Sequence, residues 1–215
     1  MGVIWENYLD DFVQGTLLTL GLTAASFVLA AVIGTAIAAF RISPIVPLRT
    51  FGLIYVEIFR NVPLMSLIIL VVYALPEVSI MLDYVPAVIL ALSLVGGAFI
   101  AEALRSGINS VGVGQIEAAR SVGLTFVGVL RLVVLPQAFR SMIQPLITVL
   151  IAIFLSTSLA GVVGVRDLTQ TVAYINNREA LGLLTFAIAA AIYATISLLI
   201  AWVGGIVERR VRVKR

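Results

Sequence analysis

Neither cysteine nor histidine occurs in this chain, and only 12% of its residues are charged. The first two absences exclude disulfides, thiol nucleophiles, zinc sites of the ordinary kind and imidazole acid–base chemistry. The third separates the chain from soluble domains, which carry roughly 25% charged residues and about half apolar ones. Here 61% of the residues are hydrophobic and the mean hydropathy is +1.16. The alternating pattern of a transmembrane barrel is missing as well. Backbone groups in lipid must bond within the chain, which leaves helices to do the spanning, so the fold class is an all-α membrane protein. The net charge of +3 is no nucleic-acid signal, because the basic residues are juxtamembrane and a basic tail directly follows an apolar stretch, as suits lipid headgroups. Glu6, Asp10 and Asp11 stand where a signal peptide would carry positive charge, so no cleavable leader is expected and the first span acts as its own insertion signal.

A spanning helix needs about 20 mostly apolar residues. Five stretches qualify as transmembrane helices: 12–40, about 62–75, 84–104, about 141–159 and 181–207. The second is preceded by an interfacial start over 48–59, and Pro63 either kinks it or sets its first turn. Pro145 interrupts the fourth, and the polar segment 161–180 is a re-entrant or surface connection. Of 14 Lys and Arg residues, this threading puts all but Arg166 and Arg178 on one side of the membrane. Basic residues favour the cytoplasmic face, which predicts the N-terminus outside and the C-terminus in the cytoplasm. Small residues are dense in the first and third spans. Gly96 and Gly97 read either as close helix packing or as a hinge on a translocation path.

The loop between the third and fourth spans, about 110–136, is the long cytoplasmic one. Residues 114–122 favour helix, Gly123 is placed to stop it in a left-handed conformation, and Thr125 is a candidate N-cap for the next helix. A short helix with Ala118 and Ala119 exposed would suit a groove in a soluble partner. The sequence Glu117-Ala118-Ala119, three residues, Gly123, nine residues, Val133, one residue, Leu135-Pro136 resembles the EAA loop in permease subunits of bacterial ABC importers, with Val133 where the family usually has Ile. Phe59-Arg60-Asn61-Val62-Pro63-Leu64 and Ala101-Glu102-Ala103-Leu104-Arg105-Ser106-Gly107-Ile108 resemble segments of the polar amino-acid branch (histidine, arginine, glutamine and glutamate), as do Leu135 to Ala138 and Thr157 to Val165. The resemblance runs from about Leu17 to the C-terminus.

That resemblance implies a single five-helix domain over residues 1–215 with the type I ABC importer fold, in a bacterial plasma (inner) membrane. It implies a second permease subunit, identical or not, paired around a central path, a cytoplasmic ATP-binding cassette ATPase dimer that receives the EAA helix, and an extracytoplasmic solute-binding protein. No Walker-type phosphate loop is present, so the chain is expected to be a transport subunit and not an enzyme, with no cofactor or metal of its own. Glu117, Ala118, Ala119 and Gly123 are then the ATPase-coupling residues. Asn61, Ser66, Glu102, Ser156, Thr157 and Ser158 are the candidates for the substrate path. Each has a plain structural reading too: Ser and Thr in a span often bond their own backbone, and Glu102 with Arg105 forms an i,i+3 pair. Where the family reads Lys-Asp-Thr-Ser-Leu, this chain has Leu155-Ser156-Thr157-Ser158-Leu159. The missing acidic residue fits an acidic or neutral amino acid, glutamate being slightly favoured. It equally fits a degenerate site in a heterodimer. A secondary amino-acid transporter is the rival class, and the inverted repeats it would predict are not seen in the sequence.

Overall fold

A computed structural model describes residues 2–211; the tail residues Arg212, Lys214 and Arg215, read above as a headgroup anchor, lie outside them. Among the described residues every regular element is helical. After a short helix α1 (Gly2–Asn7), α2 (Leu9–Ile42) runs 34 residues, about 50 Å at 1.5 Å per residue, which exceeds the roughly 30 Å of hydrocarbon it would cross. Asp10 and Asp11 occupy its first turn and Arg41 its last, each sign complementing the helix dipole. Three further helical stretches are long and apolar enough to span: Tyr84–Asn109, Phe126–Val163 and Gly182–Val211.

The expected second span is a broken pair of helices. α3 (Val46–Asn61) and the segment Leu64–Val78, which opens with α4 (Leu64–Ile69), meet at 105°. Val62 and Pro63 between them are extended, because a residue before proline is pushed out of the helical region. The stretch expected to be an interfacial start is helix α3, set at a steep angle to the segment that follows it. Gly52, Tyr55 and Val56 bury one of its faces, and the Tyr55 hydroxyl donates to the Leu94 carbonyl at 2.7 Å, well inside the third span. Beyond α4 a π-helical turn, Leu70–Ala74, carries Val71 and Val72 against Ala87, Val88 and Ala91 of α5 (Tyr84–Asn109).

α5 is the most buried span and packs along α2 through small residues. A Cβ on Gly34 would lie 2.7 Å from Ile100 Cβ and 2.8 Å from the Gly97 carbonyl; one on Gly97 would lie 2.8 Å from Ile33 Cγ2. Without a hydrophobic drive between helices in lipid, such close backbone approach is what holds spans together. Gly96 and Gly97 are both closely packed against neighbouring spans.

α6 (Val113–Ser121) follows α5, and the helix expected from Thr125 then runs on unbroken into the fourth span. α7 (Phe126–Val129), a π turn at Leu130–Val134 and α8 (Leu135–Ser156) form one run through Pro145, closed by a 3-10 turn at Thr157–Val163. The fourth span therefore starts at Phe126, not near Ser141. The connection expected over 161–180 is mostly α9 (Leu168–Glu179), which sinks Leu168, Val172 and Ile175 into a cluster with Phe12 of α2 and Ala189 of α10 (Gly182–Val211).

The start of α9 is fixed by a buried carboxylate. Asp167, fully buried, caps the helix by accepting from the Gln170 N–H at 2.9 Å, and the Tyr193 hydroxyl donates to its other oxygen at 3.3 Å. The nearby Leu168 N–H donates to the hydroxyl of Thr19. Burial pushes the Asp167 carboxyl from 3.8 up to about 6, against the opposing pull of the Gln170 and Thr169 N–H groups. A raised acid binds more protons in the folded state. Its favourable contribution is thus complete below about pH 4 and lost as pH rises through about 6. Asparagine caps a helix as well as aspartate does. Asp167→Asn should therefore flatten the pH dependence of the melting temperature between pH 4 and 7. Relative to wild type, the variant should gain up to about 3 kcal/mol across that interval, measured as thermal unfolding of the purified protein in detergent.

Candidate functional site

The bend of the second span faces α5 and α8 across a cavity of about 200 Å³. Its walls include Leu64 just after the bend, Gly96 and Phe99 of α5, and Thr148, Ile153 and Ser156 of α8. The lining is apolar except for the hydroxyls of Thr148 and Ser156, and Thr148 gives its hydroxyl to the Gln144 carbonyl at 3.1 Å. A wider groove of about 530 Å³ lies between α2 and α10, walled by Phe12, Val13, Ile188 and Ile192 among others; no charged group lines it.

The other path candidates fall elsewhere. Thr157 is fully buried and its hydroxyl bonds the Phe154 carbonyl at 2.7 Å, so it has nothing to offer a solute, contrary to expectation. Ser158 bonds the Leu155 carbonyl in the same way, the backbone-bonding alternative weighed for this patch. Asn61 is exposed and donates to the Glu57 carbonyl at 2.7 Å; Ser66 is exposed on α4. Of the hydroxyl patch, only Ser156 reaches the cavity.

Glu102 is the centre of an ionic cluster at the arginine-rich end. The i,i+3 partner Arg105 lies 2.5 Å from Oε1, as its spacing predicts. Two partners come from far away in sequence. Arg41, at the end of α2, reaches Oε2 at 2.6 Å, and Arg60, at the end of α3, approaches the same oxygen at 3.7 Å. The Arg41 side chain is 8% exposed, against 41% for Arg60 and 42% for Arg105. The cluster ties α2, α3 and α5 together where the bend begins, and three cations around one carboxylate leave a local excess of two positive charges. Arg41 and Arg60 went unpaired in the sequence reading because no spacing rule links residues about 40 and 60 positions apart.

The loop after α5 takes the conformation its residues predict. α6 ends at Ser121, Gly123 adopts φ +87°, and its N–H returns to the Arg120 carbonyl at 2.9 Å. Thr125 caps α7 by accepting from the Gly128 N–H at 3.2 Å. Glu117 and Ala118 are exposed, and Glu117 pairs with no basic side chain among the described residues. Ala119 differs from expectation: it is buried against Val111, Val129 and Val134, and so anchors α6 to the base of the bundle instead of meeting a partner.

The family described as binding-protein-dependent transport system inner membrane component matches residues 30–213. The chain is 35% identical over 188 residues to the probable glutamine ABC transporter permease protein GlnP of Bacillus subtilis, covering 87% of this chain and 86% of that one. It is 32% identical to the glutamate transport system permease protein GluC of Corynebacterium glutamicum over the full length of both. Among solved structures, one titled as an amino acid ABC transporter with histidines superposes with a TM-score of 0.92 at 29% identity, covering 97% of each chain. The MetNI methionine ABC transporter shares the fold, with a TM-score of 0.79 at 23% identity over 95% of this chain and 98% of that one.

The cluster's asymmetry sets an order of tolerance. Glu102→Gln strands the buried Arg41 without a counter-charge and should cost about 3 kcal/mol, whereas Arg105→Gln removes an exposed partner and should cost about 1 kcal/mol or less. Thermal unfolding of the two purified variants measures the difference, and equal melting temperatures would contradict the central place of Glu102.

Proposed function

The chain belongs to the binding-protein-dependent transport inner membrane components, and on that footing we propose that it is the translocating subunit of an ATP-driven importer of polar amino acids. In this reading the N-terminus is outside and the arginine-rich end is cytoplasmic. Two such subunits, identical or not, enclose the path, and residues 110–125 meet a separate ATPase dimer. A solute-binding protein delivers the amino acid at the opposite face.

The conformation of the loop supports this reading most directly. α6 is anchored by Ala119, ended by Gly123 at φ +87°, and leaves Glu117 and Ala118 on its free face. That is a short rigid strut, fixed at its base and presented outward, as transmitting motion between a soluble motor and the spans requires. A Cβ on Gly123 would meet nothing within 4 Å, so a substitution there strains the backbone without a clash. Gly123→Val should therefore leave assembly in the membrane intact. Substrate-stimulated ATP hydrolysis in reconstituted complexes should fall about fivefold or more, the factor that roughly 1 kcal/mol of strain carries. Wild-type stimulated hydrolysis and uptake in that variant would overturn the coupling role.

The cavity supports an acidic or neutral substrate. Its lining holds no carboxylate, and Arg60, beside the Phe99 wall, belongs to a cluster with a positive excess. Relatives named for glutamine and glutamate transport agree with that class. Ser156→Asp would add a carboxylate to the wall. At about 8 Å from a substrate carboxylate and an effective dielectric constant of about 20, the repulsion is about 2 kcal/mol. Uptake of L-glutamate should fall about thirtyfold in this variant and change little in Ser156→Ala, with the binding protein held constant. If both variants transport as wild type does, this subunit's cavity is a degenerate site and the second permease carries the substrate.

A further inference from the structure

Resting on the amino-acid reading, we propose that Arg60 receives a carboxylate of the substrate at the mouth of the cavity. Arg60 stands in the last turn of α3, directly before the extended Val62–Pro63 link, and Leu64 beyond that link is already cavity wall. Its guanidinium carbon lies 5.6 Å from the centre of the Phe99 ring, and Phe99 forms another wall. The guanidinium is thus held over an aromatic face at the edge of an apolar chamber.

Its donors are uncommitted. The approach of Arg60 to Glu102, at 3.7 Å, is too long for a hydrogen bond, and among the described residues its side chain donates none. Glu102 does not need it, because Arg41 at 2.6 Å and Arg105 at 2.5 Å already occupy both carboxylate oxygens. Arginine stays charged and offers a planar fork of donors that matches a carboxylate bidentately. With 41% of its side chain exposed, Arg60 can turn from Glu102 to a solute without stranding a buried charge. Arg41 has no such freedom, being buried and tightly paired. Arg105 is held through both Nε and Nη2. Of the three, Arg60 alone is both loosely held and next to the cavity. The site therefore recognises a carboxylate, a group every amino acid carries, and leaves discrimination between side chains to the chamber.

The absence of cysteine from this chain allows a direct test. Arg60→Cys is assembled with cysteine-free ATPase, partner permease and binding protein in lipid vesicles. Initial uptake of L-glutamate and L-glutamine is measured at saturating loaded binding protein. Loss of one charge-assisted pair predicts a fall of about ten- to a hundredfold. Modification of the new thiol with 2-aminoethyl methanethiosulfonate, which returns a cation, should recover most of the rate. The 2-sulfonatoethyl reagent, which adds an anion, should not, and substrate should slow both labelling reactions. The proposal is overturned if the untreated variant transports at the wild-type rate, or if both reagents restore uptake equally. It is also overturned if Arg60→Cys and Arg60→Lys both fail to assemble, which would make Arg60 part of the scaffold. A wild-type complex that imports neither amino acid would instead defeat the amino-acid reading itself.

Discussion

One carboxylate organises the arginine-rich end of this bundle. Among the described residues four ion pairs form, and three of them share Glu102. Arginine cannot lose its proton under any condition a cell meets, so an arginine on a packed helix end must find an acceptor or reach water. Arg41 finds Glu102; Arg60 and Arg105 do both in part. The consequence is geometric as much as electrostatic. The end of α2, the end of α3 and the inner part of α5 are held at one point, and the 105° break in the second span begins immediately after it.

That point can exist only because the helices approach closely. Arg41 meets Glu102 at 2.6 Å since Gly34 and Gly97 let α2 and α5 lie nearly backbone to backbone two turns away. Tyr55 completes the arrangement from the third side, bonding the Leu94 carbonyl while its ring packs on Phe59 with centroids 4.6 Å apart. Small residues set the distance and the distance makes the ion pair between α2 and α5, while Tyr55 bonds the bent arm to α5. A larger residue at Gly97 would strike Ile33 and the Tyr55 hydroxyl, so the packing fault would reach the cluster without touching a charge.

What was legible in the sequence was what short range decides. The helix stop at Gly123, the cap at Thr125 and the Glu102–Arg105 pair all depend on neighbours within four residues, and each is present. The long apolar runs located the spans, but their ends were less visible. The helix expected from Thr125 and the span placed near Ser141 prove to be one run, joined through a π turn, because the residues between them are mostly apolar. The burial of Ala119 and of Thr157 was not legible. Both residues are small enough to suit an exposed or a packed site, and only the arrival of Val129 and Val134 in one case, and of the buried network around Tyr193 in the other, decides between them. The partners of Glu102 were hidden for the same reason: sequence distance carries no information about which span ends converge.

The cavity is held from its other side by a second carboxylate with the opposite chemistry. Ser156 lines the chamber, and the 3-10 turn Thr157–Val163 follows it directly. That turn closes through Gly164 at φ +88° and the Val165 N–H, which donates to the Ala160 carbonyl at 3.2 Å. Next to it sits Asp167, so close that a Cβ on Gly161 would lie 3.2 Å from its Oδ1. Glu102 is matched by full positive charges and remains partly solvated, whereas Asp167 is fully buried and bonded only by neutral donors. The first arrangement tolerates exchange of one partner because two remain. The second tolerates none, because each donor satisfies a lone pair that water cannot reach. The wall carrying Ser156 is therefore fixed by a buried hydrogen-bond network, while the wall carrying Leu64 hangs from an ionic cluster with a loose member. Leu67 and Ile68 of α4, buried against α5, hold that side where the loose ionic member does not.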